Sequence, residues 1–432
     1  MTASIRSTKE SAALIAARKA IDRCKLLARF SETPDGTLRT FLSGPMRDCH
    51  RELRSWLEPL EAELKIDAAG NFRAVYPGTR PQAPRLLIGS HLDTVPNAGV
   101  YDGALGVVLA VALIENLDGR QLPFAVEIVG FSDEEGVRFG VPFIGSRALI
   151  GTLDDDLLRR TDANGICVRE AIQNFGGDPA QISAALVASD ALGYLEFHIE
   201  QGPVLDELSL PLAAVEAIVG QSRFELAFRG AANHAGTTPM NSRRDSLAGA
   251  AEWIVAVEQH ARMIEGLVAT VGAIEAMPGA TNVIAGETRL TLDIRHSSDD
   301  VRLRSVEMLL RRAEEISARR GLQVGWSERT SQPAVSMDKF LVSQIEAAIA
   351  DAGCEPHRMS SGAGHDAMIL AQRIPAAMIF LRSPGGISHN PAEAVEIEDV
   401  AKAIECGAHL LDRLAASPQF LTDALSKETP RA

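Results

Sequence analysis

The sequence predicts an α/β fold in which a smaller domain interrupts a larger one. The chain has 432 residues, a length that fits two or three domains of roughly 100–200 residues each. Strand-like and helix-like segments alternate in the first part of the chain and again near its end. Between them, the order strand–helix–strand–strand–helix–strand indicates a split βαβ unit. We therefore expect one domain over residues 1–213 and 330–432, with an inserted domain over residues 214–329.

In the larger domain, short apolar runs predict buried strands that are followed by polar loops, and longer apolar stretches predict helices. In chain order, the segments are strand Arg85–Ile88, helix Gly106–Leu117, strand Phe124–Phe131, helix Lys339–Ala352, strand Ala376–Leu381 and helix Val400–Ala415. Because ligand sites in open α/β sheets lie at the ends of the strands, we expect functional residues in the loops that follow them.

The inserted domain shows a different pattern, in which apolar and polar residues alternate along the strands. Its predicted segments are strand Gly220–Phe228, helix Arg243–Arg262, strands Leu267–Ile274 and Thr288–Ile294, helix Asp299–Arg320 and strand Gln323–Trp326. This order predicts a compact ferredoxin-like (βαββαβ) domain.

Composition and charge exclude several classes of protein. Lys and Arg number 43 against 57 Asp and Glu, which gives a net charge of −14, and such an acidic chain is a poor partner for nucleic acid or for an anionic membrane. We find no apolar run near the roughly 18–20 residues of a membrane helix, and no secretory pattern at the N-terminus. The five scattered cysteines lack any CxxC spacing, so we expect a cytoplasmic protein without disulfides.

The first candidate cluster follows the strand at Arg85–Ile88. His91 and Asp102 offer an imidazole and a carboxylate, the ligands that zinc and similar divalent metals prefer. Asp93 lies two residues after His91 and could hold its second ring nitrogen. A solvated loop histidine and an Asp that caps a helix would explain the same pair, so these residues alone leave both interpretations open.

The second candidate cluster is the acidic run Asp133-Glu134-Glu135, which follows the strand at Phe124–Phe131. Three adjacent carboxylates at a buried strand end repel one another, and a bound cation would relieve this repulsion. One Glu could then bind metal while its neighbour acts as general base. A solvated acidic turn at the start of a helix is the alternative, and this segment alone slightly favours that alternative.

Two further histidines, His198 and His389, lie near the ends of predicted strands, where a single histidine is more often structural than a metal ligand. Taken with His91, Asp102 and Glu135, they form a set of five nitrogen and oxygen ligands at one edge of a predicted sheet. Five such ligands with one bridging carboxylate suit two metal ions about 3.5–4 Å apart.

Eight ordered motifs together resemble one known family. The motifs are GSHLDTVPNAGVYDGALGV, FSDEEGVRFG, GSRAL, FHIEQGPVLD, GAANHAGTTPM, TNVIAGETRLTLDIRH, SGAGHDAM and GGISHNPAE. From about residue 20 to 415 the chain resembles the hydantoinase/carbamoylase family of zinc-dependent amidohydrolases, within a larger clan of di-zinc carboxypeptidases and aminoacylases. The resemblance implies a split di-metal exopeptidase-like catalytic domain and an inserted lid and dimerisation domain.

The same resemblance implies roles for the residues of the catalytic domain. Asp102 would bridge two divalent metal ions, most simply zinc, although manganese, cobalt or nickel also suit the ligand set. One ion would also be held by His91 and His198, and the other by Glu135 and His389. Glu134 would be the general base. His198 stands where peptidases of the clan usually carry an acidic residue, which favours the carbamoylase branch.

Family positions that bind substrate also have counterparts in this chain, at Gln201, His234, Asn282 and Arg295. The turn Gly362-Ala363-Gly364 could offer backbone N–H groups to a substrate carboxylate, with Gly362 the expected contact, and a tight turn without a binding role would explain the same residues. In the family, the inserted domain forms the homodimer, and its histidine reaches the partner subunit's site. The resemblance thus implies that Arg295 pairs with a substrate carboxylate, and that His234 and Asn282 bind the substrate and the developing oxyanion.

The reaction implied by the resemblance is hydrolysis of the terminal C–N bond of a ureido group on a small carboxylate. Allantoate is the leading substrate, followed by N-carbamoyl-L-amino acids and N-carbamoyl-β-alanine. A di-zinc peptidase or N-acyl amino acid deacylase is the next alternative, and the HIEQGP motif with His198 speaks against it. A non-catalytic dimeric binding protein is the third alternative, and the intact Glu134 speaks against that one.

Overall fold

The computed structural model describes residues 11–423, and the chain divides into two compact units. The first unit comprises the chain up to Glu216, Met337–Met359 and the chain from His365 onward, and the second comprises Ala217–Ser336 and Ser360–Gly364. Residues 1–10, which begin the N-terminal segment considered above, lie outside the described residues.

These divisions differ from the predicted boundaries at 213/214 and 329/330. Gln332 still pairs with Gln221 in the antiparallel sheet of the second unit, so this unit continues past residue 329. The Val219 N–H donates to the carbonyl of Ser361 at 3.0 Å, which attaches Ser360–Gly364 to the same unit. Both contacts join residues far apart in sequence, which local patterns do not reveal.

The strands and helices are numbered in chain order. The strands are β1 (Glu63–Ile66), β2 (Phe72–Tyr76), β3 (Arg85–His91), β4 (Ala125–Phe131), β5 (Ala191–Ile199), β6 (Leu212–Ile218), β7 (Gly220–Arg229), β8 (Asn233–His234), β9 (Val268–Thr270), β10 (Ile274–Met277), β11 (Val283–Ile284), β12 (Glu287–His296), β13 (Gln323–Gln332), β14 (Val335–Ser336), β15 (Arg358–Ser361) and β16 (Ala376–Leu381). The α-helices are α1 (Ala12–Ala28), α2 (Gly44–Leu57), α3 (Ala104–Asn116), α4 (Ile144–Ile150), α5 (Asp155–Leu158), α6 (Val168–Phe175), α7 (Val204–Leu208), α8 (Ser246–Arg262), α9 (Asp299–Arg320), α10 (Lys339–Asp351), α11 (Asp366–Leu370), α12 (Ile397–Ala415) and α13 (Pro418–Asp423).

The first unit is built on a mixed sheet with the strand order β1-β2-β4-β3-β5-β16-β6. Its central strands β3, β4, β5 and β16 are parallel, and every residue of β4, β5 and β16 is buried. Continuous apolar strands of this kind have both faces covered. α3 is buried from Ala104 to Ile114, as expected of a helix that is apolar on all sides. The parallel strands bring the loops after β3, β4, β5 and β16 to one edge of the sheet.

The second unit contains an antiparallel sheet in the order β10-β12-β7-β13, and β9 also pairs with β12. α8 and α9 cover one face, where Trp253 and Leu309 belong to a core with Phe224 and Leu292. This element order agrees with the βαββαβ prediction. The predicted strand Leu267–Ile274 is wrong in detail, because the chain leaves the sheet between β9 and β10.

Two global features bear on the environment of the protein. The cysteines Cys24, Cys49, Cys167, Cys354 and Cys406 are all free thiols. Within residues 11–423, the helices are all too short or too polar to cross a membrane.

Candidate metal centre

The edge formed by the parallel strands collects the predicted metal ligands. His91 is the last residue of β3 and His198 the next-to-last of β5. Glu135 follows β4, and His389 lies in the loop after β16. Asp102 lies two residues before α3 begins. These five side chains come from four loops or strand ends of the first unit, and the fold brings them together.

Asp102 stands at the centre of the cluster. Its Oδ1 lies 3.2 Å from Nε2 of His198 and 3.5 Å from Nε2 of His91. Its Oδ2 lies 3.2 Å from Nε2 of His389. The same His389 nitrogen lies 3.5 Å from Oε1 of Glu135. The two oxygens of one carboxylate therefore face two different groups of ligands.

Potential ligand atoms form three overlapping groups, each with all members within 4.8 Å of one another. The groups are His91/Asp102/His198, Asp102/Glu135/His389 and His91/Glu134/Glu135. The first two share Asp102, as expected of a carboxylate that bridges two ions. Glu135, rather than Glu134, is grouped with Asp102 and His389, which supports the division of roles between the two glutamates.

The backbone fixes the orientation of both buried histidines. Nδ1 of His91 lies 3.0 Å from the carbonyl oxygen of Asp93, and Nδ1 of His198 lies 2.9 Å from that of Ile199. A carbonyl oxygen only accepts hydrogen bonds, so Nδ1 carries the proton in both neutral rings. In each ring Nε2, which lies on the side of Asp102, would then be the atom that binds a metal ion, as in other metal-binding histidines.

The side chain of Asp93 accepts backbone hydrogen bonds from the acidic loop. Its Oδ1 accepts a hydrogen bond from the Glu134 N–H at 2.9 Å, and its Oδ2 accepts one from the Glu135 N–H at 3.0 Å. Asp93 is 1% exposed, so water does not substitute for either bond. The sequence predicted a contact between the Asp93 side chain and His91, and Oδ1 of Asp93 lies 3.6 Å from Nδ1 of His91, close enough for a charge interaction with the ring. The main contact of Asp93 is with the glutamate loop.

Burial and crowding control the charges of the cluster. Burial opposes ionisation of Asp102, but hydrogen bonds from His198, His389 and His91 hold its pKa well below the usual range. Burial raises the pKa of Glu135 to about 7, with His91 acting against the rise and Asp102 adding to it. Burial also raises the pKa of Glu134 well above its usual range.

A divalent cation fits this set of residues. Three imidazole nitrogens and the carboxylates of Asp102 and Glu135 are hard or borderline ligands of the kind found around zinc, manganese and cobalt. Without a cation, proximity to Asp102 raises the pKa of His91 and His198 although both rings are buried. The protons held by these two rings offset the negative charge of the carboxylates. Two bound cations would offset that charge in their place.

Gln201 belongs to the same cluster. Its Nε2 lies 3.3 and 3.2 Å from the two oxygens of Asp102 and 3.2 Å from Oγ of Ser388. Its backbone has a φ of 59°, a left-handed conformation that is uncommon for residues other than glycine. Such local strain persists where the surroundings enforce it, and it is typical of functional sites.

Sequence reasoning missed Glu393, which is 5% exposed. Its Oε1 accepts hydrogen bonds from the N–H groups of Tyr101 at 2.8 Å and Asp102 at 3.0 Å. A signal was present, because Glu393 is an acidic residue four positions after His389 in the last motif. His365, which received no role from the sequence, packs its ring 4.4 Å from the ring of His198.

The remaining predicted residues lie in the second unit. Arg295 donates from Nε and Nη2 to the two oxygens of Asp293, at 2.8 and 3.1 Å, and from Nη1 to the Gly362 carbonyl at 2.8 Å. Three of its five N–H groups are thus engaged, which leaves one on each terminal nitrogen. Arg295 and Gly362 line a cavity of about 640 Å³ with apolar walls that include Phe224 and Val268.

His234 and Asn282 are neighbours at the surface of the second unit. β8 pairs with β11 so that His234 faces Val283, and the Asn282 carbonyl accepts the N–H of Ala235 at 2.9 Å. Nδ1 of His234 accepts N–H bonds from Gly236 and Thr237, at 3.1 and 3.2 Å. The neutral ring therefore carries its proton on Nε2, which is free to act as a donor.

Comparisons with known proteins identify the family of the chain. The model of peptidase family M20/M25/M40 matches residues 87–413. An N-carbamoyl-L-amino acid amidohydrolase of Geobacillus stearothermophilus is 40% identical over 353 residues, which are 81% of this chain and 86% of the relative. An allantoate deiminase of Arabidopsis thaliana is 36% identical over 419 residues, covering 89% of this chain and 80% of the relative. The crystal structure of a hydantoinase/carbamoylase family amidase from Burkholderia multivorans superposes with a TM-score of 0.88 at 28% identity, covering 93% of this chain and 98% of that one. The chain therefore belongs to peptidase family M20/M25/M40, and the predicted resemblance to its hydantoinase/carbamoylase members is confirmed.

Proposed function

We propose that this chain is a metal-dependent amidohydrolase that cleaves the ureido C–N bond of a small carboxylate, with allantoate as the leading substrate. Its family is one of hydrolases, and relatives of this chain are amidohydrolases and deiminases. The observation that carries the proposal is the bridging position of Asp102, whose two oxygens face His91/His198 and His389/Glu135.

Two ions, proposed here to be zinc, would polarise the ureido carbonyl and lower the pKa of a water molecule. The chain's own groups carry the proton transfers. Glu134 takes the proton of the attacking water and delivers it to the leaving nitrogen, since it is a buried carboxylate beside His91. Water attacks the ureido carbon, the terminal C–N bond breaks, and ammonia leaves. The remaining carbamate then loses carbon dioxide and yields an amine.

Substrate recognition is proposed for Gln201, His234, Asn282, Arg295 and Gly362. The two unused N–H groups of Arg295 suit a carboxylate, and Asp293 holds the guanidinium in one orientation. The Nε2–H of His234 supplies a neutral donor for a developing oxyanion. We also propose that the enzyme is a homodimer through its second unit and works in the cytoplasm, where five free thiols would remain reduced.

The second candidate is hydrolysis of N-carbamoyl-L-amino acids, favoured by the relative from G. stearothermophilus at 40% identity. Both candidates share a ureido group and a carboxylate, so the same residues serve either reaction.

A substrate panel tests the proposal. Metal-reconstituted enzyme is assayed for ammonia release from allantoate, several N-carbamoyl-L-amino acids and N-carbamoyl-β-alanine. N-acetyl amino acids and dipeptides serve as controls in a parallel amine assay. Turnover confined to ureido compounds is expected, and Glu134→Gln should abolish it while metal remains bound. Turnover of the acetyl compounds or dipeptides alone would contradict the ureido assignment.

A further inference from the structure

Glu393 links the two loops that carry Asp102 and His389. Its Oε1 accepts the N–H groups of Tyr101 and Asp102, directly before α3. Its Oε2 lies 3.3 Å from Oγ of Ser388, the residue before His389. One buried carboxylate therefore makes hydrogen bonds to both loops.

These bonds lie where alternative partners are scarce. Tyr101 and Asp102 are 7% and 4% exposed, so their N–H groups would be left unsatisfied without the Glu393 carboxylate. The loop also passes very close to this side chain, because a Cβ at Gly99 would lie 2.5 Å from Glu393 atoms. The position of the Asp102 backbone thus depends on Glu393.

The other loop is held in an uncommon conformation. His389 has a φ of 53°, and a left-handed histidine needs support from its neighbours. Ser388 supplies part of that support, since its hydroxyl contacts both Glu393 and the Nε2 of Gln201. A continuous set of polar contacts therefore runs from Asp102 through Glu393 and Ser388 to the loop of His389.

We propose that Glu393 is a positioning residue that fixes the spacing between Asp102 and His389, and so determines the affinity of the ion held by Asp102, Glu135 and His389. The proposal rests on the two-metal site proposed above. Glu393 itself does not belong to any of the three ligand groups found among residues 11–423. The ion between Asp102, His91 and His198 depends less on it, because His91 and His198 are oriented by other backbone carbonyls.

Calorimetric titration of zinc into metal-free protein, with a competing chelator, tests this proposal. We expect two binding events in the wild type. In Glu393→Ala, one of them should weaken by about 10–100-fold, the range seen when groups behind metal ligands are removed. Glu393→Gln retains an oxygen for the two N–H groups and an amide for Ser388, and should bind both ions close to normally.

Asp245→Ala is the matched control. Asp245 also accepts two backbone N–H bonds, from Leu247 and Ala248 at 3.1 Å each, but it caps α8 and lies far from the ligands in sequence. The Asp245→Ala variant should be less stable than the wild type but should bind zinc with the same affinity.

If Glu393→Ala binds each of the two ions with the same affinity as the wild type, the proposed role of Glu393 is wrong. If Glu393→Ala does not fold, as judged by circular dichroism, Ser388→Ala replaces it and should weaken the same ion. Unchanged affinity in Ser388→Ala would then overturn the proposal. A wild-type chain that binds fewer than two ions would instead overturn the two-metal site itself.

Discussion

Replacement of Asp93 by Asn tests how the acidic loop is held. The two shapes are nearly the same, but Asn has one oxygen where Asp has two. Each Asp93 oxygen accepts one buried N–H bond, from Glu134 at 2.9 Å and from Glu135 at 3.0 Å. In Asp93→Asn, one of these N–H groups would face an amide nitrogen, which does not accept a hydrogen bond.

The expected cost follows from that single lost bond. A hydrogen bond to a charged group contributes about 1.5–3 kcal/mol to stability. If the loop moves so that the unpaired N–H finds another acceptor, Glu135 leaves its place beside His389. The cost then appears as lower metal affinity and not as lower stability. Since about 1.4 kcal/mol corresponds to a tenfold change, the affinity for one ion should fall roughly 10–100-fold.

Zinc titration of metal-free Asp93→Asn, together with urea unfolding of the same protein, measures both effects. Glu127→Gln is the control, because Glu127 is a buried carboxylate paired with Arg73 and Arg85 in the body of the sheet. Breaking that pairing should lower stability by about 3–5 kcal/mol without changing the zinc affinity of the folded protein. Wild-type zinc affinity together with wild-type stability in Asp93→Asn would refute the argument that Asp93 positions the glutamates.

Three further outcomes follow from individual residues. Arg295→Lys keeps the charge but loses the planar fork, so KM for allantoate should rise about 10-fold or more, and an unchanged KM in steady-state assays would remove the carboxylate role. Gly103→Ala should lower zinc affinity, because φ at Gly103 is 64° and the new Cβ would lie 2.5 Å from the His91 ring. The control Gly119→Ala, at a φ of 80° with open space around it, should cost only about 1 kcal/mol of stability, and equal zinc affinities in the two variants would contradict this expectation. Burial lowers the pKa of His50 from 6.5 to about 3, so His50 takes up a proton in the unfolded chain at a higher pH than in the folded protein. Urea unfolding should therefore show the free energy of unfolding falling from about pH 6.5 towards pH 3, by up to about 1.4 kcal/mol per pH unit. His50→Leu should reduce that slope, and an identical slope would show that His50 does not cause it.

Local patterns predicted the elements that surround the site. The apolar runs at Arg85–Ile88 and Ala376–Leu381 became β3 and β16 of the parallel sheet. The charged segment Asp299–Arg320 forms α9 with the same bounds. Such segments could be predicted because their own periodicity and length determine their structure. The motifs added the ligands, since each one lies at the end of a strand or in the loop that follows it.

Contacts between distant parts of the chain could not be predicted in this way. Glu393 and Tyr101 are 292 positions apart, and their hydrogen bond exists only in the folded sheet. Likewise, Nη1 of Arg295 donates to the carbonyl of Gly362, 67 positions away, and the alternating pattern of β12 does not reveal that contact. The attachment of Ser360–Gly364 to the second unit also depends on a long-range backbone bond. Residue types thus indicated the chemistry, while the positioning contacts required the fold.

Anomalous X-ray diffraction from crystals grown with zinc tests whether Asp102 bridges two metal ions. We expect two zinc peaks about 3.5–4 Å apart, with one oxygen of Asp102 bound to each. His91 and His198 should complete the first site, and Glu135 and His389 the second. A single peak, or two peaks without Asp102 between them, would show that Asp102 does not bridge two ions.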